Sequence, residues 1–202
     1  MIPAEASFLY GGTMAEYDAQ VELSIDLGDN KSNKAFQQLL RSLALEAVVI
    51  QTLRKAGITQ PVTLTLLITN DETIQALNKQ YRQQDKPTDV LSFPLLAEPI
   101  VNAPAGQLWM PPEEASETAS KQVFVTPSEL TTNLGDVVIS WPTVVRQAAE
   151  TDHSPSYELL YLLSHGVLHL IGYDDQTEAG YQAMIQIQQA VMDASEGKTS
   201  PP

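Results

Sequence analysis

Ser154-Pro155-Ser156-Tyr157-Glu158-Leu159-Leu160-Tyr161-Leu162-Leu163-Ser164-His165-Gly166-Val167-Leu168-His169-Leu170-Ile171-Gly172 is the stretch around which the rest of the chain must arrange itself. Ser154 and Pro155 open a helix, Glu158 sits in its first turn, and Gly172 closes it. Leu159, Leu160, Leu162, Leu163, Val167, Leu168, Leu170 and Ile171 point in nearly every direction around the axis, so the helix is predicted to be buried. A buried helix needs partners on every side.

The chain on either side supplies them. Val21 to Ile25 alternates as a half-exposed strand does, and Val62 to Ile68 reads as a β-branched strand. Between them, apolar residues at helical spacing predict one helix from Asn33, its N-cap, to Lys55, with Gly57 as the stop. Asn70-Asp71-Glu72 opens a helix carrying Leu77 and Tyr81 and ending near Arg82. Pro87 forces a turn before the strand Val90 to Phe93, and Pro94 cannot continue in a central ladder. A strand from Gly135 to Ser140 leads into a helix with Pro142 in its first turn, and a last helix runs from about Thr177 to Ala194.

The expected fold class is α/β (α+β): a small mixed sheet of about four strands packed with about five helices. Only a long non-helical connection joins the strands at Val90 and Gly135, which implies at least one antiparallel neighbour. Residues 19–196 are expected to form one domain, with 1–18 and 197–202 as tails. Five of the 13 prolines, Pro99, Pro104, Pro111, Pro112 and Pro127, fall between Ala97 and Thr132, which is expected to be a surface excursion.

Composition narrows the chemistry. The absence of cysteine leaves only His and carboxylate side chains to hold a metal. A net charge of −14 argues against a generally basic surface, so any contact with RNA must be local. No apolar run reaches the roughly 18 residues of a membrane span. The first basic residue is Lys31, unlike a secretory leader, and a cytoplasmic location is the expectation.

His165 and His169 lie about 40° apart on one helix face, one turn from each other, the spacing that lets two imidazoles grip one ion. Gly172 turns the chain back so that Asp175 can supply a third ligand. A single histidine on a buried helix reads as a core residue; the pair, the Gly and the acidic dipeptide together read as a metal site. His153, just ahead of the helix, reads as a surface residue.

A second patch holds Lys79, Arg82 and Lys86, three of only 11 basic residues, within eight positions. It reads either as a local grip on an anionic backbone or as a solvated helix end with Arg82 paired to Asp85.

The two segments together resemble the YbeY-type endoribonuclease family, the metal-dependent ribosomal RNA maturation factors. The family signature H-G-x-L-H-L-x-G-Y-D-H is matched from His165 through Asp174, and N-x-x-Y-R-x-x-D-x-P-T-D-V-L-S-F-P from Asn78 to Pro94. A third element, L-G-D, is matched at Leu134-Gly135-Asp136. The resemblance covers about 20 to 195 apart from the Pro-rich stretch. It implies one zinc ion, Arg82 beside it as a catalytic cation with His165, and cleavage of single-stranded ribosomal RNA during small-subunit maturation and quality control. The implied partners are that RNA and the small ribosomal subunit or its proteins.

The chain departs from the signature at Asp175, where the family has its third His. Asp is a competent zinc ligand, but its charge lowers the acidity of a metal-bound water. Asp89, Asp136 and Asp174 are candidates to orient the imidazoles, or else to staple turns.

Three other readings use the same residues. A zinc protease needs Glu directly after the first His, where this chain has Gly166. A site of two His and one carboxylate also suits iron(II) and oxygen chemistry, although both histidines share one helix here. The third is a non-catalytic ribosome-assembly protein with a structural metal.

Overall fold

The computed structural model describes residues 19–110 and 131–196. The expected tails, 1–18 and 197–202, lie outside the described residues. Along the chain run β1 (Ala19–Asp26), α1 (Asn30–Leu40), α2 (Leu45–Lys55), β2 (Val62–Thr69), α3 (Asp71–Arg82) and β3 (Val90–Pro94). A single 3-10 turn at Ala105–Gln107 precedes β4 (Thr132–Ser140), α4 (Trp141–Thr151), α5 (Pro155–Ile171) and α6 (Glu178–Glu196).

The four strands form one mixed sheet in the order β1-β2-β4-β3. β1, β2 and β4 are parallel, and β3 runs antiparallel to β4 at the edge. That edge position is what Pro94 requires, because a proline there costs no ladder bond. Side chains alternate across the sheet, and the two faces differ accordingly. Leu64, Leu66 and Ile68 of β2 and Val137 and Ile139 of β4 face the main core under α2 and α5. On the other face, Leu91 of β3 and Val138 of β4 bury Ile74 of α3.

The helix expected from Asn33 to Lys55 is two helices, which raises the described α-helices to six. The reason is phase. Phe36 and Leu40 are buried from α1, and Leu45, Val49 and Leu53 from α2. Along an unbroken helix these two sets would point about 180° apart, so the chain breaks at Arg41–Ala44 to turn both onto one core. Asn33 is no N-cap; its Oδ1 accepts the Leu27 N–H at 2.8 Å and ties β1 to α1.

The Pro-rich stretch also differs from expectation. Residues 111–130 lie outside the described residues, β4 begins at Thr132 rather than Gly135, and residues 97–110 are a strap against the end of α5. Ile100 N–H donates to the Ile171 carbonyl at 3.0 Å and Trp109 N–H to that of Gly172 at 2.9 Å. The Trp109 indole donates to the His169 carbonyl at 3.1 Å, and Leu108 bridges to Tyr173. A helix end leaves its last carbonyls without intrahelical donors, and this strap satisfies them. Val101, 7% exposed, anchors it to the core.

α5 lies close against the sheet because residue 166 is glycine. A Cβ on Gly166 would stand 2.6 Å from Val137 Cγ1. At the opposite end of the sheet, the Asp71 carboxylate ties α3 to α4. It accepts from Ser140 Oγ at 2.5 Å, Thr143 Oγ1 at 2.9 Å and Arg146 Nη1 at 2.8 Å.

Burial works against the charge of Asp71, but the hydrogen bonds from Arg146, Ser140 and Thr143 and the charge of Arg146 outweigh it, holding the carboxyl below its usual range. A depressed folded pKa stabilises above the unfolded value of about 4 and loses that contribution as pH falls through the folded value. Asp71→Asn is therefore expected to lower stability by about 1–2 kcal/mol at neutral pH. In urea titrations at stepped pH, the gap from wild type should close on acidification below about pH 4.

Candidate metal centre

α5 carries its two histidines on the only stripe it leaves open after its first turns. Leu162, Leu163, Val167, Leu168 and Leu170 are buried, while each imidazole side chain is 21% exposed. The rings meet edge to face with centroids 4.6 Å apart, and the two Nε2 atoms are 3.0 Å apart.

The outer nitrogens orient the rings. His169 Nδ1 donates to the Tyr173 carbonyl at 3.0 Å, which leaves its Nε2 as a lone pair. His165 Nδ1 faces Gln188 Oε1 in a long contact of 3.5 Å. Gln188 is 1% exposed, and its amide nitrogen reaches the Tyr161 carbonyl at 3.4 Å, which turns the amide oxygen toward His165. Burial, and then the neighbouring His169, push the His165 pKa down against the opposing pull of Asp175 and Gln188. Both effects favour the neutral imidazole, the form that binds metal.

Asp175 is delivered by a tightly held turn. Gly172 has φ +129°, and a Cβ there would stand 2.4 Å from that of Pro99 in the strap. Tyr173 N–H returns to the Leu168 carbonyl at 3.0 Å, and Asp174 N–H donates to the Gln107 carbonyl at 3.0 Å. Asp175 Oδ2 then lies 3.7 Å from His165 Nε2 and 3.8 Å from His169 Nε2.

These three atoms form the one group of potential metal ligands of this kind among the described residues. The centre of their triangle is about 2 Å from each of them, which is the length of Zn–N and Zn–O bonds. Two nitrogens and one oxygen suit zinc and leave a coordination position open to water or substrate. The donor set fits the metal that the resemblance implies. It does not fit a zinc protease, because a Glu side chain at position 166 would enter Val137 rather than reach the ligands.

The other candidates from the sequence are dispersed. Asp89 accepts from Val90 N–H at 2.8 Å, Thr88 Oγ1 at 3.0 Å and Gln147 Nε2 at 2.9 Å, and so staples a turn. Asp174 accepts from Gln176 N–H at 3.1 Å and caps its own turn. Asp136 pairs in register with Phe93 and projects from the sheet face opposite α5. The imidazoles are oriented instead by Gln188 and the Tyr173 carbonyl. A carbonyl has no side-chain signature, and Gln188 reads in sequence as one more polar position of a helix.

Lys79 holds Asp85 at 2.6 Å, so Asp85 is the partner of Lys79 and not of Arg82. Arg82 and Lys86 are exposed and make no ion pair among the described residues. Tyr81, next to Arg82, packs edge-on against Phe93 at 5.0 Å, while Ser92 Oγ donates to the Gly166 carbonyl at 3.3 Å. The end of α3 and the histidine helix thus flank the same edge strand from opposite faces.

The family model described as endoribonuclease YbeY matches residues 25–196. The chain belongs to the endoribonuclease YbeY family. An endoribonuclease YbeY of Dehalococcoides mccartyi is 38% identical over 157 residues, covering 78% of this chain and 89% of that protein. One of Desulforamulus reducens is 39% identical over 149 residues, covering 74% and 82%. One of Roseiflexus castenholzii is 41% identical over 132 residues, covering 65% and 69%. The YbeY match spans every element that builds the site, from α3 to α6.

Removing either kind of support should weaken zinc binding without unfolding the chain. Gln188→Leu is expected to cost about 10–100-fold in zinc affinity by freeing the His165 ring, and Asp175→Ala at least as much. Competition with a chromophoric chelator measures both. Affinities equal to wild type would remove the residue concerned from the centre.

Proposed function

We propose that this YbeY-family endoribonuclease hydrolyses phosphodiester bonds of single-stranded ribosomal RNA, in small-subunit maturation and ribosome quality control in the cytoplasm. In this reading one zinc ion is held by His165, His169 and Asp175, and Arg82 is the catalytic cation. The observation that carries it is the pair of Nε2 atoms 3.0 Å apart with Asp175 Oδ2 opposite them, in a chain of this family.

When bound, zinc supplies Lewis acidity toward a phosphoryl oxygen and lowers the pKa of a bound water. The chain's own residues do the rest. Burial keeps His165 neutral, and Gln188 and the Tyr173 carbonyl hold both rings with their lone pairs inward. Arg82, without a carboxylate partner among the described residues, is available to the charge that builds on the phosphate oxygens in the transition state. Local cations at Arg82 and Lys86 suit a chain whose net charge of −14 repels RNA elsewhere. Among the described residues, no helix is long and apolar enough to cross a membrane.

The test is cleavage of a single-stranded RNA by highly purified protein. Wild type is expected to cleave it, with losses of about 100-fold or more for both His165→Ala and Arg82→Ala at an unchanged urea midpoint. Asp175→His, which restores the family's donor, should move the acidic, ascending limb of the activity profile to lower pH by making the bound water more acidic. Equal cleavage by wild type and the two alanine variants would contradict the assignment.

A further inference from the structure

We propose that Asn78 is a positioning residue for RNA: its buried amide holds the turn after α3 so that Lys86 stands as a fixed phosphate contact. This deepens the nuclease reading and rests on it.

Asparagine is an unexpected residue at this place. It lies inside α3, where it is a poor helix former, and it is 3% exposed, where an amide without a partner is costly. What it holds is the segment that follows the helix. Its main-chain carbonyl accepts from the N–H of Gln83, a residue at φ +59°, and from Gln84 N–H at 3.3 Å. Its side-chain Nδ2 donates to the Lys86 carbonyl at 2.8 Å. Residues 81–87 are all exposed, so burial does little to fix their course. The Asn78 amide returns the main chain at Lys86 to α3, one turn before Arg82.

The same turn sorts its charges. Asp85 is the neighbour of Lys86 in sequence, and a carboxylate turned toward Lys86 would repel the phosphate that the cation attracts. The Asp85 side chain instead goes back onto α3, to Lys79 Nζ at 2.6 Å and to Gln75 Nε2 at 3.0 Å. The acid is thus paired with Lys79, while Lys86 makes no ion pair among the described residues. Two consecutive residues are therefore clamped to one helix, Asp85 by its carboxylate and Lys86 by its carbonyl. What remains for solvent at position 86 is the ammonium group. A cation whose main chain is fixed in advance loses less freedom on binding than one on a free loop. In a chain of net charge −14, such a point is where an RNA backbone can be gripped.

The experiment is a double-mutant cycle between Asn78 and Lys86, read by fluorescence anisotropy of a 5′-labelled oligouridylate with the zinc-loaded full chain. Phosphorothioate linkages keep the charge of the probe and resist cleavage. Lys86→Ala should weaken binding about fivefold and flatten the slope of log affinity against log salt by about 0.7, the loss of one phosphate contact on a single strand. Asn78→Leu, which keeps the volume and removes the amide, should do the same, and Asn78→Ala should agree with it. In the Lys86→Ala background neither Asn78 variant should cause a further loss, because the cation they position is gone. Zinc affinity should equal wild type throughout. Asn78 variants that bind like wild type, or that lose as much with Lys86 absent as with it present, would overturn the positioning role. Lys86→Ala binding like wild type would overturn it too, and the nuclease reading would still stand on the cleavage lost in His165→Ala and Arg82→Ala. A wild type that neither binds nor cleaves single-stranded RNA would overturn both.

Discussion

Two imidazole nitrogens converge 3.0 Å apart, with His169 Nδ1 on the Tyr173 carbonyl and His165 Nδ1 facing Gln188. Such a pair can share a proton or grip a cation, and the fold is organised to hold the nitrogens there. α5 is locked by burial on nearly all sides, so neither ring can turn away without disturbing its neighbours. The close approach of Gly166 to Val137 fixes its distance from the sheet, and the strap at residues 97–110 fixes its C-terminal end. Gln188 then holds one ring and the Tyr173 carbonyl the other. Supporting groups of this kind set ligand orientation, and through it affinity.

The third donor is placed by backbone rather than by side-chain packing. Gly172 reverses the chain, and the strap receives the reversed segment through Gln107, Leu108 and Trp109. Asp175 therefore reaches the centre from a surface turn and is 41% exposed, whereas the histidines are 21% exposed. A carboxylate there would neutralise part of a bound ion's charge, where the family's histidine would not.

Much of this was legible in the sequence because it depends on local pattern. The spacing of His165 and His169, the stop at Gly172, the helix opened by Asn70-Asp71-Glu72 and the edge placement implied by Pro94 all follow from rules that act over a few residues. What was not legible depends on contacts between distant segments. The break between α1 and α2 reflects a shared core rather than any helix breaker, since Arg41–Ala44 holds neither Gly nor Pro. The strap looked like an excursion because its prolines and polar residues are typical of surface loops, while its role lies in backbone hydrogen bonds that composition does not encode. Asp136 illustrates the limit of spacing arguments in strands: its neighbour Val137 faces α5, and alternation sends Asp136 to the other side.

The account stands on the claim that one ion sits between His165, His169 and Asp175. Zinc K-edge absorption fine structure of the zinc-loaded protein tests it most directly. The prediction is one zinc per chain, with two imidazoles and light oxygen donors at about 2.0–2.1 Å, and with one imidazole lost in His169→Ala. A spectrum showing only oxygen donors, or one unchanged in His169→Ala, would contradict it.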